Sequence, residues 1–275
     1  MAILAINLRR LLLFFGILLA GPALALVGGE VALDRNWATA SRDSAGLMPP
    51  AASTPEAVVQ VYGARTFGWR GAFAVHTWIA VKPESADTYV TYEVIGWRYW
   101  RDGNGLSRRE GPPDRHWFGA SPQILAELRG AEAAAAIPEI EAAVAGYPFA
   151  TQYRTWPGPN SNTFTATVAR QVPGLRLDLP PTAVGKDYLG PTEIVAAAPS
   201  GTGYQLSAFG MLGLLAAWEE GLEVNILGMT FGIDPLDPLT YAAVAIGLLL
   251  AVAMASYLPA RRITLIDPSE ALRAE

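Results

Sequence analysis

WPGPNSNTF, Trp156 to Phe164, is the stretch on which the reading of the fold turns. Pro157-Gly158-Pro159 forbids helix and makes a sharp turn, because proline fixes φ, lacks an N–H and restricts the residue before it. The residues that follow, SNTFTATVARQVPG, suit a short helix stopped by Pro173 and Gly174. Asn160 or Ser161 then stands at the N-cap, where a side-chain oxygen accepts bonds from the first free N–H groups. The same place favours chemistry, since first-turn N–H groups and the helix dipole stabilise negative charge. Ser161 is therefore also a candidate nucleophile, with Asn160 and the backbone N–H groups near Asn162 as candidate orienting or oxyanion groups. A serine hydroxyl needs a base. If that base is histidine, it is His76 or His116, because the chain has two.

Upstream of that turn, AVVQVYGAR and AFAVHTWIAVKP are rich in Val, Ile and aromatics and read as strands, with TYVTYEVIGWRYW (Thr88–Trp100) as a third. His76 falls in the middle of the second strand. Glu93 falls on the third, where it either orients the imidazole or faces solvent. RDGNGLSRREGPPDRH reads as a polar loop. Its Arg115-His116-Trp117 end is a candidate anion contact or a loop anchored by Trp. SPQILAELRGAEAAAAIPEIEAAVAGYPF reads as helix from an N-cap at Ser121, with Pro138 a break or second start. Trp97, Tyr99, Trp100, Trp117, Tyr153 and Trp156 are candidate groove-lining aromatics for sugar or acyl chains, or ordinary core and membrane-interface residues. Lys186-Asp187-Tyr188 reads as a surface turn. Late in the chain, two strands joined by a Glu219-Glu220-Gly221 turn pack in the core or against a bilayer surface. The fold class is α+β, an antiparallel sheet with packed helices, in one domain over 57–236.

Composition removes several function classes. A net charge of -5 without a basic stripe excludes nucleic acid as the expected partner. Cysteine is absent, so disulfides, thiolate metal sites and a cysteine nucleophile are all excluded. Two histidines and scattered carboxylates give no metal-ligand spacing, and neither a metal nor another cofactor is expected.

The ends read as membrane segments. Arg9 and Arg10 precede an apolar run from Leu11 to Val27, and Ala23-Leu24-Ala25 has small-x-small cleavage character. Residues 1–27 are thus expected to be a signal peptide or signal-anchor helix, followed by a linker over 28–56. Leu239–Leu258 is uncharged and long enough to cross a bilayer, and Arg261 and Arg262 follow it. By the positive-inside rule both ends lie in the cytoplasm, leaving the central domain exterior or periplasmic between two transmembrane helices.

Three resemblances add to this reading. Asp237–Glu275, with PARR and the DPSEALRAE ending, resembles the last helix and tail of MacB/FtsX-type ABC transporter permeases. That likeness implies an ABC ATPase as a partner through the tail. The order of a His on a strand, more strand, helices, and then Asn160-Ser161-Asn162-Thr163-Phe164 resembles the permuted papain-like fold of the NlpC/P60 and lecithin:retinol acyltransferase superfamily. It implies His76 as base and Ser161 as nucleophile, although that superfamily uses cysteine at the matching position. Finally, HTWIAVK, PPDRHW, YRTWPGPNSNTF, ARQVPGLRLDLPPTAVGKDYL and EEGLEVNILG resemble the bacterial family DUF3750 over roughly Ala57 to Asp234. Topology and these likenesses together imply a protein of the bacterial inner membrane. Its expected activity is hydrolysis or acyl transfer on envelope peptides or lipids. The alternatives are a non-catalytic envelope binding domain and a permease-associated subunit.

Overall fold

Val58–Arg65 (β1) and Val75–Lys82 (β2) pair antiparallel along their whole length, with Val58 opposite Lys82 and Arg65 opposite Val75. The computed structural model describes residues 15–16, 19–28, 31, 33 and 36–233. In it, Val90–Val94 (β3) joins β2, Leu106–Glu110 (β4) joins β3, and Gln123–Arg129 (β5) joins β1. The first sheet therefore runs β4-β3-β2-β1-β5, every neighbouring pair antiparallel. Both faces of its central strands are covered, so they are rich in Val, Ile and aromatics, and polar residues they do carry, among them Gln60, His76, Thr77 and Lys82, are buried.

One face packs against two helices, Gly130–Ala145 (α3) and Ser161–Gln171 (α4). Val59, Val61, Ile79 and Val81 from the sheet meet Ile140, Phe164 and Val168 in this core, all fully buried. The opposite face holds Tyr62, Ala64, Trp78 and Ala80 beneath Trp117, which comes from the connection between β4 and β5. That connection is fixed by Trp78 Nε1, which donates to Pro113 O at 2.8 Å. It is also fixed by the buried Asp114. Its carboxylate accepts from Ser44 Oγ at 2.9 Å and from the N–H groups of Leu47 and Met48 at 2.7 and 3.2 Å. Residues 44–48, within the expected linker, are thereby docked on the domain.

A second sheet follows as a meander: Val195–Ala197 (β6), Gly203–Ala208 (β7), Leu212–Ala217 (β8), Gly221–Ile226 (β9) and Met229–Ile233 (β10), ordered β10-β9-β8-β7-β6. Strands β8 and β9 are the two expected around Glu219-Glu220-Gly221. Glu220 is buried in that turn and accepts from Ser200 N–H at 2.9 Å and from Ser200 Oγ at 2.5 Å. Contacts set a boundary after Gly232, so nearly all described residues belong to the first of two units.

Several expectations are corrected. The fold is α+β with two antiparallel sheets rather than one. The expected flanking pair of transmembrane helices is overturned: no helix among the described residues is long and apolar enough to cross a membrane. The described helix of the first apolar run, Ala20–Val27 (α1), has eight residues, about 12 Å at ~1.5 Å per residue against a hydrocarbon core of about 30 Å. The run Leu239–Leu258 and the permease-like tail lie outside the described residues.

The third strand ends at Val94, and Gly96–Asp102 is a helix (α2) that stops at Gly103 in the left-handed region, φ 72°. The polar loop contains β4, whose charged residues sit at a sheet edge. The helix expected from Ser121 starts only at Gly130, because Gln123–Arg129 is recruited as a strand by β1. Pro138 lies within α3 without ending it. Lys186, Asp187 and Tyr188 are buried, not a surface turn.

Candidate functional site

Asn160 is the N-cap of α4. Its Oδ1 accepts from the N–H of Asn162 at 2.9 Å and of Thr163 at 3.2 Å, while Thr163 Oγ1 accepts from Asn160 N–H at 3.1 Å. This reciprocal arrangement satisfies orphan donors at both ends of the turn. Asn160 Nδ2 donates onward to Thr155 O at 3.1 Å and Val184 O at 2.9 Å. Gly158 and Gly185 make the space. Both have positive φ, 129° and 95°, and a Cβ on Gly185 would fall on the Asn160 side chain.

Ser161 is thus relieved of capping. It is the first helical residue, and its hydroxyl has no hydrogen-bond partner among the described residues. The expected oxyanion donor at Asn162 is already used by the cap. The first-turn N–H left unpaired among the described residues is that of Ser161 itself. Asn162 instead ties α4 to the sheet, its Nδ2 donating to Val75 O at 3.0 Å and Val184 O at 2.8 Å, with Thr77 Oγ1 3.0 Å from its Oδ1. These bonds bring the start of α4 against the start of β2, where His76 lies.

His76 is buried, and its Nε2 is 3.0 Å from Oε2 of the equally buried Glu93 on β3. Glu93 does not face solvent. Its other oxygen accepts from Arg115 Nη2. The His76 ring stacks on Trp117, centroids 3.6 Å apart and planes 10° from parallel. Burial pushes the imidazole below the ordinary histidine range, against the pull of Glu93. Burial pushes Glu93 up, but the His76 hydrogen bond and the Arg115 charge outweigh it and hold the carboxyl below its usual range. A neutral imidazole facing a carboxylate must carry its proton on Nε2, because an ionised carboxylate only accepts. Nδ1 then keeps its lone pair, and it has no hydrogen-bond partner among the described residues.

A cleft of about 710 Å³ has His76 and Ser161 in its wall together with Asn160, Asn162 and Tyr153. No hydrogen bond joins Ser161 to His76. Aromatic walls come from Trp37, Trp97, Trp117 and Phe118, and positive charge from Arg42, Arg70 and Arg115. Arg115 is committed to Glu93. Arg42 lies over the Phe118 ring at 4.5 Å and Arg70 over Trp69 at 5.2 Å, and neither has a carboxylate partner among the described residues. Glu93, held behind His76, falls outside the cleft wall, as do Tyr99, Trp100, His116 and Trp156. His116 Nδ1 is 2.9 Å from Asp43 O on the loop, and Trp156 Nε1 donates to Leu227 O at 3.0 Å. Trp97, Trp117 and Tyr153, three of the expected groove aromatics, do line the cleft. The cleft residues Trp37, Arg42 and Arg70 escaped sequence reasoning: two precede β1, the third lies in the β1–β2 connection, and no periodicity ties them together.

Residues 56–188 match the family described as "Protein of unknown function (DUF3750)". The matched region holds the first sheet, both packed helices and every residue of the His76–Glu93–Ser161 group, while the second sheet lies beyond it. No curated protein and no solved structure matches the chain.

Proposed function

We propose that this cleft is a serine-dependent acyl-transfer or hydrolytic site acting on an amide or ester. The observation that carries the reading is the state of His76: Nε2 anchored by a buried carboxylate, Nδ1 unpartnered, in the wall of the cleft that also holds an uncommitted Ser161. In the reaction Ser161 Oγ bonds to the substrate carbonyl carbon while its proton passes to His76 Nδ1. The developing oxyanion takes the free Ser161 N–H at the positive end of α4. Collapse breaks the carbonyl–heteroatom bond, and the amine or alcohol leaves with the proton from His76. Water, or a second acceptor, then releases the acyl group by the reverse proton path. Glu93 is a positioning residue that holds the tautomer and the ring.

Arg42 and Arg70 favour a substrate with an acidic group near the acyl carbonyl, and the aromatic walls favour a flat or apolar body beside it. Peptides or lipids of a bacterial envelope have this chemistry, and the export expected from the N-terminal sequence would place the domain among them. The test is covalent labelling of the full chain by a fluorophosphonate probe, with the labelled peptide identified by mass spectrometry. The reading expects the adduct on Ser161, and a loss of labelling rate of about 10²-fold or more in His76→Ala. A folded chain whose Ser161 stays unlabelled, or labels equally fast without His76, overturns it and leaves a binding cleft.

A further inference from the structure

The second sheet is built with its polarity reversed. Along β7 and β9 the side chains that alternate inward include Gln205, Ser207, Glu223 and Asn225, all buried, with Leu215 of β8 among them. Those that alternate outward are Tyr204, Leu206, Leu212, Leu214, Leu222 and Val224, all exposed. Phe231 extends the same apolar character onto β10. The inward polar groups are satisfied. Lys186 Nζ donates to Glu223 Oε1 at 2.7 Å, and Asp187 accepts from Gln205 Nε2 at 2.6 Å and Thr230 Oγ1 at 2.9 Å. The outward face has no such partner among the described residues. A half-solvated antiparallel sheet ordinarily turns its apolar side chains to the core and its polar ones to water.

We infer that this outer face docks on the surface of a lipid bilayer, entering its apolar boundary layer without spanning it. Three observations choose lipid over other occupants. First, the face carries no charge. Between Val195 and Ile233 the charged residues are Glu219, Glu220 and Glu223. Glu223 points inward, Glu220 is bonded within its turn, and Glu219 pairs with Arg176 at 3.0 Å. Second, Tyr204 and Trp218 are about three-quarters exposed, 74% and 78%, on the face and at the β8–β9 turn. Such amphipathic rings settle at the boundary between hydrocarbon and water. Third, the face offers one side-chain hydrogen-bonding group, the Tyr204 hydroxyl, along the strands named. Protein–protein interfaces carry about one hydrogen bond per 100–200 Å². A single helix, about 10 Å across, covers only part of five strands spaced ~4.8 Å apart, so one helical segment does not bury it.

The absence of cysteine permits a direct test. Leu214→Cys and Val224→Cys, each labelled with an environment-sensitive fluorophore, are reconstituted as full chains in phosphatidylcholine vesicles whose acyl chains carry a bromine or doxyl quencher. Glu84→Cys, in the exposed β2–β3 connection, is the control. The expected result is quenching of both sheet labels and not of the control, unchanged by high salt and requiring no anionic lipid. Adding Leu206→Glu to the Val224→Cys chain should reduce that quenching several-fold. Labels that stay unquenched overturn the inference. So does quenching that appears only between two labelled copies, which assigns the face to a second chain. So does a sheet label already shielded from aqueous iodide in lipid-free monomer, which assigns it to another part of this chain.

Discussion

His76 and Glu93 are individually unremarkable residues whose meaning comes from burial. Because the His76 imidazole titrates below its ordinary value of 6.5, the unfolded chain binds that proton first. Its contribution to stability is complete above about pH 6.5 and is lost as the pH falls below it. Glu93, also depressed, contributes above its ordinary 4.5 and is lost as the pH falls through its folded value. Thermal melts between pH 7.5 and 4 should therefore show an early acid destabilisation that His76→Gln removes. A melting curve equally acid-sensitive in His76→Gln would place the responsible group elsewhere. Replacing the carboxylate is harsher. Glu93→Ala leaves Arg115 with an unpaired guanidinium and frees the imidazole, and breaking such a buried pair costs about 3–5 kcal/mol. Urea unfolding checks that magnitude. A loss below about 1 kcal/mol would mean the three groups are not acting as a unit.

Helix α4 separates two roles that local sequence leaves merged. Asn160 closes a capping box and makes two further bonds, so Asn160→Ala should cost about 1–2 kcal/mol, at the upper part of the range for caps. Ser161→Ala removes a hydroxyl without a protein partner and should stay within about 0.5 kcal/mol while abolishing covalent labelling. Denaturant midpoints of the two variants, measured side by side, decide between the roles; a costlier Ser161→Ala would make Ser161 the cap. The helix itself was legible because turn chemistry and capping are local. So were β1 and β2, whose β-branched runs leave no other reading. The rest was decided at a distance. QILAELR has good helix formers and becomes β5 because β1 offers a ladder to it, Gly63 pairing with Gln123 and Val58 with Arg129, far apart in sequence. GWRYWRD looks like strand by its aromatics, yet Gly96 is pressed against the Tyr153 ring, whose Cε1 is 2.6 Å from where a Cβ would stand, and the chain turns helical there. The candidate site was half legible for the same reason. His76 and Ser161 announce themselves by type and position, whereas the Glu93 contact depends on the β2–β3 register and the Trp117 stack on a loop.

For the whole molecule the decisive question is what holds the second sheet, which lies beyond the family match, to the α4 region. Lys186 and Asp187 close that match and enter the polar side of the sheet. Arg170 on α4 reaches the same place, donating to Gln205 Oε1 at 2.6 Å and to Ala197 O at 3.0 Å; burial lowers its pKa to about 10. Burial pushes the Glu223 carboxyl up to about 7 despite Lys186 beside it. That sign is opposite to Glu93: its contribution is complete below 4.5 and is lost as the pH rises toward 7. A charge pair held at such desolvation cost is strongly destabilising to break and cheap to replace whole. Lys186→Met alone leaves Glu223 facing an apolar side chain and should cost about 3 kcal/mol or more near pH 7.5, less near pH 5, where Glu223 is protonated. Lys186→Met combined with Glu223→Leu removes both charges from one buried volume and should recover most of that loss. The four chains form a double-mutant cycle in urea, and the coupling should be favourable by roughly 1–3 kcal/mol. Additive losses, independent of pH, would instead mean that the inward side of the sheet is held by its uncharged bonds, with Lys186 and Glu223 merely accommodated among them.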